Sequence, residues 1–337
     1  MRSFTSPAAT STLYGCAVYV SEARNGSVLR QLEGVARRAP GTCLANLFVD
    51  EPYNRTNFTL VGRSVPQLAT AATTLARAAM QLLSLQQHSA THPRLGTVDH
   101  ISCHPLQVGP PPPAAAAAAA TPASACLREG LQLQEEEGAA ALALAIARDL
   151  GGGPQAVPVF TYGWAHPQQR RLDALRRQLG YFQGSTIGSW AGALPLASAP
   201  ETETGTGPLR HDHPQLSPCY GPGVAPARSG ISCVGAGPWI VNFNVLLLTD
   251  DMLAARAVAR NVSERGGGLR CVQAMALRHS NGIEVACNLL DTAVTESAAV
   301  LACVEQLAAQ RGLTVGGGYF TNLAPKDLVA TALSHGL

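Results

Sequence analysis

Charge is what this sequence has least of. Asp, Glu, Lys and Arg make up only 14% of 337 residues, and 24 basic against 22 acidic side chains leave +2. A field that weak points to no nucleic-acid partner and no acidic membrane surface, while small anions remain suitable ligands. Paired cysteine motifs are missing as well. The nine cysteines, at 16, 43, 103, 126, 219, 233, 271, 287 and 303, are odd in number, dispersed and never spaced C-x-x-C. That spacing argues against a disulfide framework and a structural zinc site, and it fits a reducing, cytoplasmic setting. No apolar run reaches the roughly 18 residues of a membrane span; the alanine run at 114–120 is low-complexity sequence among prolines. Residues 1–12 carry Arg2, several hydroxyls and no acid, compatible with the start of an organelle transit peptide but a short stretch, so the expectation is an untargeted protein with organelle targeting as the alternative. What the chain does have is a hydrophobic share of 46%, enough for real cores and about two domains.

Periodicity predicts a strand at 13–20, a helix at 27–38 with Leu29, Leu32, Val35 and Ala36 on one face, strands at 43–49 and 57–62, a helix from Ser64 to about 85, and a strand at 97–106. The order β-α-β-β-α-β returns near the end: strand 239–248, helix 250–262, strands 270–277 and 283–290 across Ser280-Asn281-Gly282, helix 295–311, strand 314–320. The expected fold class is therefore α/β (α+β), two ferredoxin-like βαββαβ subdomains with a ligand cleft between them. The expected division is an extension at 1–12, a first subdomain at 13–183 interrupted by a low-complexity insertion at 108–125, an irregular linker at 184–230, and a second subdomain at 231–337. A helix at 132–150, a strand at 156–162 and a basic helix at 168–179 fall between the repeats.

Reactive side chains concentrate at 88–104, which holds four of the nine histidines. Pro93 disfavours helix at His92, so His92 is expected in a loop after the long helix. An imidazole that titrates near neutrality both takes and returns a proton, with Arg94 and Asp99 as neighbours able to tune it; the bland alternative is a helix-capping histidine beside a surface arginine. A metal reading pairs His88 with His92 at i, i+4 on a helix and sets His100, Ser102 and His104 on one strand face, but the glutamate of H-E-x-x-H is missing and no metal is expected. His211-Asp212-His213 sits in the least structured region, and the triplets Gly266-Gly267-Gly268 and Gly316-Gly317-Gly318 match no phosphate-loop fingerprint and read as turns.

The stretches Ser21-Glu22-Ala23-Arg24-Asn25, Tyr53-Asn54-Arg55-Thr56, His92-Pro93-Arg94-Leu95-Gly96 leading to Val98-Asp99, Tyr162-Gly163, Tyr220-Gly221-Pro222, Asn242-Phe243-Asn244, Val272-Gln273-Ala274 and Asn288-Leu289-Leu290-Asp291 occur in that order from about 13 to 325. In combination they resemble the glutamate formiminotransferase family, and in particular its plant and algal branch called formiminotransferase-cyclodeaminase-like, which lacks the helical cyclodeaminase half.

The resemblance implies transfer of a formimino or formyl group between N-substituted glutamate and N5 of tetrahydrofolate, with tetrahydrofolate as co-substrate, small-molecule partners only, and a homodimer by analogy. It assigns the catalytic histidine to His92 and the acid before N-R-T to Asp50, expected to orient the imidazole and favour its cationic form. Substrate binding falls on Asn54, Arg55, Arg94 and Asp99, the two arginines as forks for carboxylates. Folate binding falls on the stretch of Gly221, Pro222, Gly223 and Val224 that runs to Gly230. One departure stands out. The family's opening V-P-N-F-S-E-G is here Ala17-Val18-Tyr19-Val20-Ser21-Glu22-Ala23, which bears on substrate choice and keeps a second reading open, a non-catalytic folate-binding protein that carries or regulates 5-formyltetrahydrofolate.

Overall fold

A computed structural model of the chain describes residues 12–106, 122–181, 188–189 and 216–337, without the side chains of 122–128 and 188–189. Most of the extension at 1–12, the insertion up to 121, and His211-Asp212-His213 lie outside the described residues.

The first lobe starts with β1 (Leu13–Val20), α1 (Gly26–Arg37), β2 (Thr42–Asp50), β3 (Arg55–Gly62), α2 (Val65–Leu82), the short β4 (Ser89–Ala90) and β5 (His100–Leu106). Local chemistry sets these bounds. The Asn25 side chain accepts the amide of Val28, and the Ser64 hydroxyl accepts that of Gln67 ahead of Pro66 in the first turn of α2. Gly41, at φ +66°, turns the chain out of α1. Strands β2, β3, β1 and β5 pair antiparallel in that spatial order, the split βαβ arrangement expected of the sequence.

Next come α3 (Pro122–Leu150), β6 (Val159–Gly163), α4 (Leu172–Gln178), β7 (Gly188–Ser189) and β8 (Ser232–Ala236). β8 inserts parallel between β5 and β6, so the first sheet has six strands in the order β2-β3-β1-β5-β8-β6. Two expectations need correcting. A division at 230/231 falls just before a strand of the first lobe, because β8 finds its hydrogen-bond partners there; and α3 begins inside the 108–125 stretch read as irregular. The helix is held by Ala139, Leu142, Ala143, Ile146 and Ala147, all fully buried in the core where it packs beside α2 on β5, β8 and β6.

The second lobe is β9 (Val241–Leu247), α5 (Met252–Val262), β10 (Val272–His279), β11 (Gly282–Leu289), α6 (Ser297–Ala309) and β12 (Val315–Phe320), with strand order β10-β11-β9-β12 and every pairing antiparallel. It repeats the first four-stranded unit. A last helix, α7 (Pro325–Ser334), crosses back: Leu328, Val329 and Ala332 pack against Leu13, Val61 and Leu106 of the first sheet.

Period-two alternation decides which faces meet. On β9 and β11, Val241, Phe243, Val245, Ile283, Val285 and Cys287 enter the helix-covered core, while Asn242, Asn244, Glu284 and Asn288 take the opposite face. On β1 and β5, Val18, Ile101 and Cys103 go to the helices, while Tyr19, His100, Ser102 and His104 alternate to the other side. The two polar faces touch. Tyr53 Oη donates to Glu284 Oε2 at 2.8 Å, the His104 ring lies 4.8 Å from that of Trp239, and Tyr19 Oη donates to Asn242 Oδ1 at 3.5 Å.

Residues 95–97 are held as a strand-like segment by 229–231: Ile231 N donates to Leu95 O (2.9 Å) and Thr97 N to Ser229 O (2.8 Å), with Gly96 opposite Gly230. A Cβ on Gly96 would run into the carbonyl oxygen of Ile231, whereas one on Gly223 meets nothing within 4 Å. Urea unfolding should therefore show Gly96→Ala destabilised by about 1–3 kcal/mol, and Gly223→Ala unchanged to within about 0.5 kcal/mol.

Candidate active site

His92 lies in the loop between α2 and β5, as the proline after it requires. Its Nδ1 sits 2.7 Å from the carbonyl oxygen of Pro93. A carbonyl only accepts, so Nδ1 carries the hydrogen, and in the neutral ring Nε2 holds the free lone pair. The ring meets two tyrosines edge-on, Tyr53 at 5.4 Å and Tyr181 at 6.3 Å.

Burial, then the positive charges of Arg55, Arg176 and Arg94, drive the His92 pKa well below its ordinary value. This overturns the expectation of a cation-favouring environment. Asp50 does not orient His92: its Oδ1 accepts from the amide of Tyr53 (2.9 Å) and faces Nε2 of His279 at 3.6 Å, and burial raises its pKa. The acid belongs to a junction between the lobes.

That junction centres on Glu284, which is 1% exposed. Its carboxylate accepts from Tyr53 Oη (2.8 Å), Tyr319 Oη (2.8 Å) and Asn244 Nδ2 (2.9 Å), and His279 Nδ1 stands 3.5 Å away. Tyr53 thus touches the His92 ring with its edge and the second lobe with its hydroxyl. Neither Glu284 nor His279 was singled out from the sequence. A lone glutamate inside the apolar run Ile283-Glu284-Val285 was the available signal, since a charge in a buried strand needs partners.

The other expected site residues divide into exposed, paired and structural groups. Arg55 lies beside the site, but its Nη1 is paired with Asp99 Oδ1 at 2.8 Å and its guanidinium covers the Tyr19 ring at 4.9 Å. Asp99 is fully buried. Arg94 is not a fork open to substrate: it is 1% exposed, donates from Nη2 to the carbonyl of His88 (2.7 Å), and burial lowers its pKa to about 10. Asn54, at φ +50°, accepts the amide of Ala23 and donates to the carbonyl of Ser89, so it fastens loops together. In the expected folate stretch, Gly230 is buried against the His92 motif, while Gly221, Pro222, Gly223 and Val224 lie at the surface, Gly221 turning at φ +92° against the Val157 carbonyl.

The histidines expected to share a helical metal face do not. Helix α2 stops at Leu82, and His88 Nε2 contacts the carbonyl of Asn54. His100 and His104 do alternate on β5, but the first engages Tyr162 Oη (2.8 Å) and stacks on Tyr19, and the second engages the carbonyls of Gly237 and Pro238. Among the described residues no group of three or more His, Cys, Asp or Glu is placed to hold a metal ion, and no helix is long and apolar enough to cross a membrane.

One residue the sequence reading passed over is Arg176, from the basic helix α4. Its Cζ lies 4.4 Å from the centre of the Tyr181 ring, the ring that also faces His92. A depression of about 480 Å³ lined by Ser21, Asn54, Ser84, His88 and Thr97 approaches the motif from the α1 side.

A duplicated split βαβ fold thus carries a histidine that lies edge-on to two tyrosines and within the field of three arginines. The family follows from comparison: residues 13–237 match the model of the formiminotransferase domain, N-terminal subdomain, and the chain belongs to the formiminotransferase family. It is 35% identical to the formiminotransferase cyclodeaminase-like protein of Arabidopsis thaliana, over 93% of this chain and 94% of that one. It is 24% identical to the glutamate formimidoyltransferase of Streptococcus pyogenes serotype M1, over 94% and 91%. Against the formimidoyltransferase-cyclodeaminase of Gallus gallus the identity is 27%, over 95% of this chain and 51% of that protein, so the chain spans about half of that relative.

Buried neutral histidines have a consequence for stability. Burial holds His88 and His104 near pKa 4 and His92 well below 6.5, whereas the unfolded chain titrates them near 6.5. Between those values the unfolded state binds more protons, so the unfolding free energy falls as pH falls through that window. Chemical unfolding from pH ~7 down to ~4.5 should show this slope, and His104→Gln should flatten it.

Proposed function

We propose that this chain transfers a formimino or formyl group between the nitrogen of an N-substituted glutamate and N5 of tetrahydrofolate, with His92 as the proton carrier. The observation behind this is the state of the ring. Its Nδ1 hydrogen is engaged by the Pro93 carbonyl and its pKa lies well below 6.5, so at neutral pH Nε2 is a vacant proton acceptor.

The chemistry needs such a group. In the formimino case, the N5 lone pair attacks the amidine carbon and a C–N5 bond forms, giving a tetrahedral intermediate. The Nε2 atom of His92 takes the proton that N5 must lose. The resulting imidazolium, strongly acidic in a site with three guanidiniums, returns the proton to the glutamate nitrogen as its bond to carbon breaks. Glutamate and the N5-substituted folate result, and the ring ends neutral. The formyl case differs only in the heteroatom on the transferred carbon. Proton shuttling of this kind contributes on the order of 100- to 10,000-fold, with the remainder from holding both substrates between the lobes.

One observation favours a second reading, folate binding without turnover. Tyr19 replaces the asparagine of the family's opening motif, and its ring lies in the interlobe space, stacked on His100 at 5.0 Å under the Arg55 guanidinium. A bulky ring where a small amide stood alters what the site admits.

Purified chain incubated with tetrahydrofolate and N-formiminoglutamate or N-formylglutamate separates the readings. Transfer is expected to change folate absorbance, and His92→Ala should lower kcat by about 100- to 10,000-fold. Bound folate with no turnover of either donor by the wild type would establish the second reading, and a fully active His92→Ala would remove the histidine from the mechanism.

A further inference from the structure

We propose that Arg176 is the residue that binds the α-carboxylate of the amino-acid substrate, an assignment that rests on the transferase reading of the same site. Helix α4 spends its other charges outward: Arg171 and Arg177 both pair with Asp173, at 3.0 and 2.7 Å. Arg176 turns the opposite way. Its Nε and Nη2 atoms are buried and have no hydrogen-bond partner among the described residues.

Those two atoms form one edge of the guanidinium, the edge that meets both oxygens of a carboxylate in parallel. A buried donor left without an acceptor is costly, the more so when it is charged, so a two-donor edge of this kind suits an anion. The neighbouring cations are already committed, Arg55 to Asp99 and Arg94 to the His88 carbonyl.

Position decides which anion it is. Arg176 and His92 both pack on Tyr181, with Cζ at 4.4 Å and the imidazole at 6.3 Å from that ring. Whatever Arg176 holds therefore lies close to the nitrogen that exchanges a proton with His92. In an N-substituted glutamate the α-carboxylate is two bonds from that nitrogen. The carboxylates of a folate tail are separated from N5 by the whole aminobenzoyl spacer, so they lie much farther from the reacting nitrogen than the α-carboxylate does. The aromatic contact fixes the plane of the guanidinium, so Lys, a point charge, replaces it only in part.

Equilibrium binding by calorimetry tests this without requiring turnover. N-formylglutamate, its α-carboxamide analogue N-formylisoglutamine, and 5-formyltetrahydrofolate are titrated into wild type, Arg176→Lys and Arg176→Gln, with circular dichroism and thermal melting as checks on folding. Wild type should prefer the acid to the amide, and Arg176→Gln should weaken the acid by about 10- to 100-fold, bringing it level with the amide. Folate affinity should stay within about threefold, and Arg176→Lys should fall between. The assignment is overturned if wild type binds acid and amide alike or binds neither, if Arg176→Gln keeps the preference, or if folate weakens as much as the acid. Acid binding that depends on Arg176 in a protein with no transfer activity would sink the transferase reading and leave the carboxylate site standing. Transfer activity indifferent to Arg176 would do the reverse.

Discussion

A buried carboxylate stands at the polar junction between the two halves of this protein. Glu284 points away from the hydrophobic core of its own lobe, onto the sheet face that Tyr53 of the first lobe covers, so its carboxylate is shut off from water. Donors must come to it: Asn244 and Tyr319 from its own sheet, Tyr53 from the other lobe. Withdrawing one of them would leave charge or polarity uncompensated in a medium that solvates it poorly, a penalty of several kcal/mol. That cost fixes the distance between the lobes. Because the Tyr53 ring is also the edge against which His92 lies, it sets the imidazole in place as well.

Around the imidazole the electrostatics run in one direction. The guanidiniums of Arg55, Arg176 and Arg94 all act on it, and the ring has no carboxylate partner among its described hydrogen bonds. A histidine with an aspartate behind it is steadied as a cation; this one is steadied as a neutral base, its orientation set by a backbone carbonyl one residue away. The positive surroundings favour anions near the ring and disfavour its protonated form. Asp50, displaced from that role, belongs instead to the contact that holds the lobes together.

The duplicated architecture was legible because two periods are written plainly in the chain: alternation along strands such as 13–20, and an i, i+3 spacing of apolar residues along α1. The location of His92 was legible too, since Pro93 excludes helix there by sterics alone. Less could be read where partners lie far away in sequence. Nothing local says that β8 would slip between β5 and β6, or that α7 would return to the first lobe, because both depend on edges and faces created by other segments. Arg94 and Arg55 sit in the same kind of motif and look alike in sequence, yet one is enclosed by its own loop and the other lies over Tyr19.

Residue order by itself determined the elements, their repetition, the loop that presents the imidazole and the resemblance to a family, since each of these is a short-range pattern of backbone sterics and hydrophobic spacing. Only the tertiary structure decided the protonation of His92, the partner of Asp50, and the burial of Arg94 and of the Arg176 edge. Those properties depend on desolvation and on charges that folding brings from distant positions, and Coulomb interaction follows distance in space, not separation along the chain.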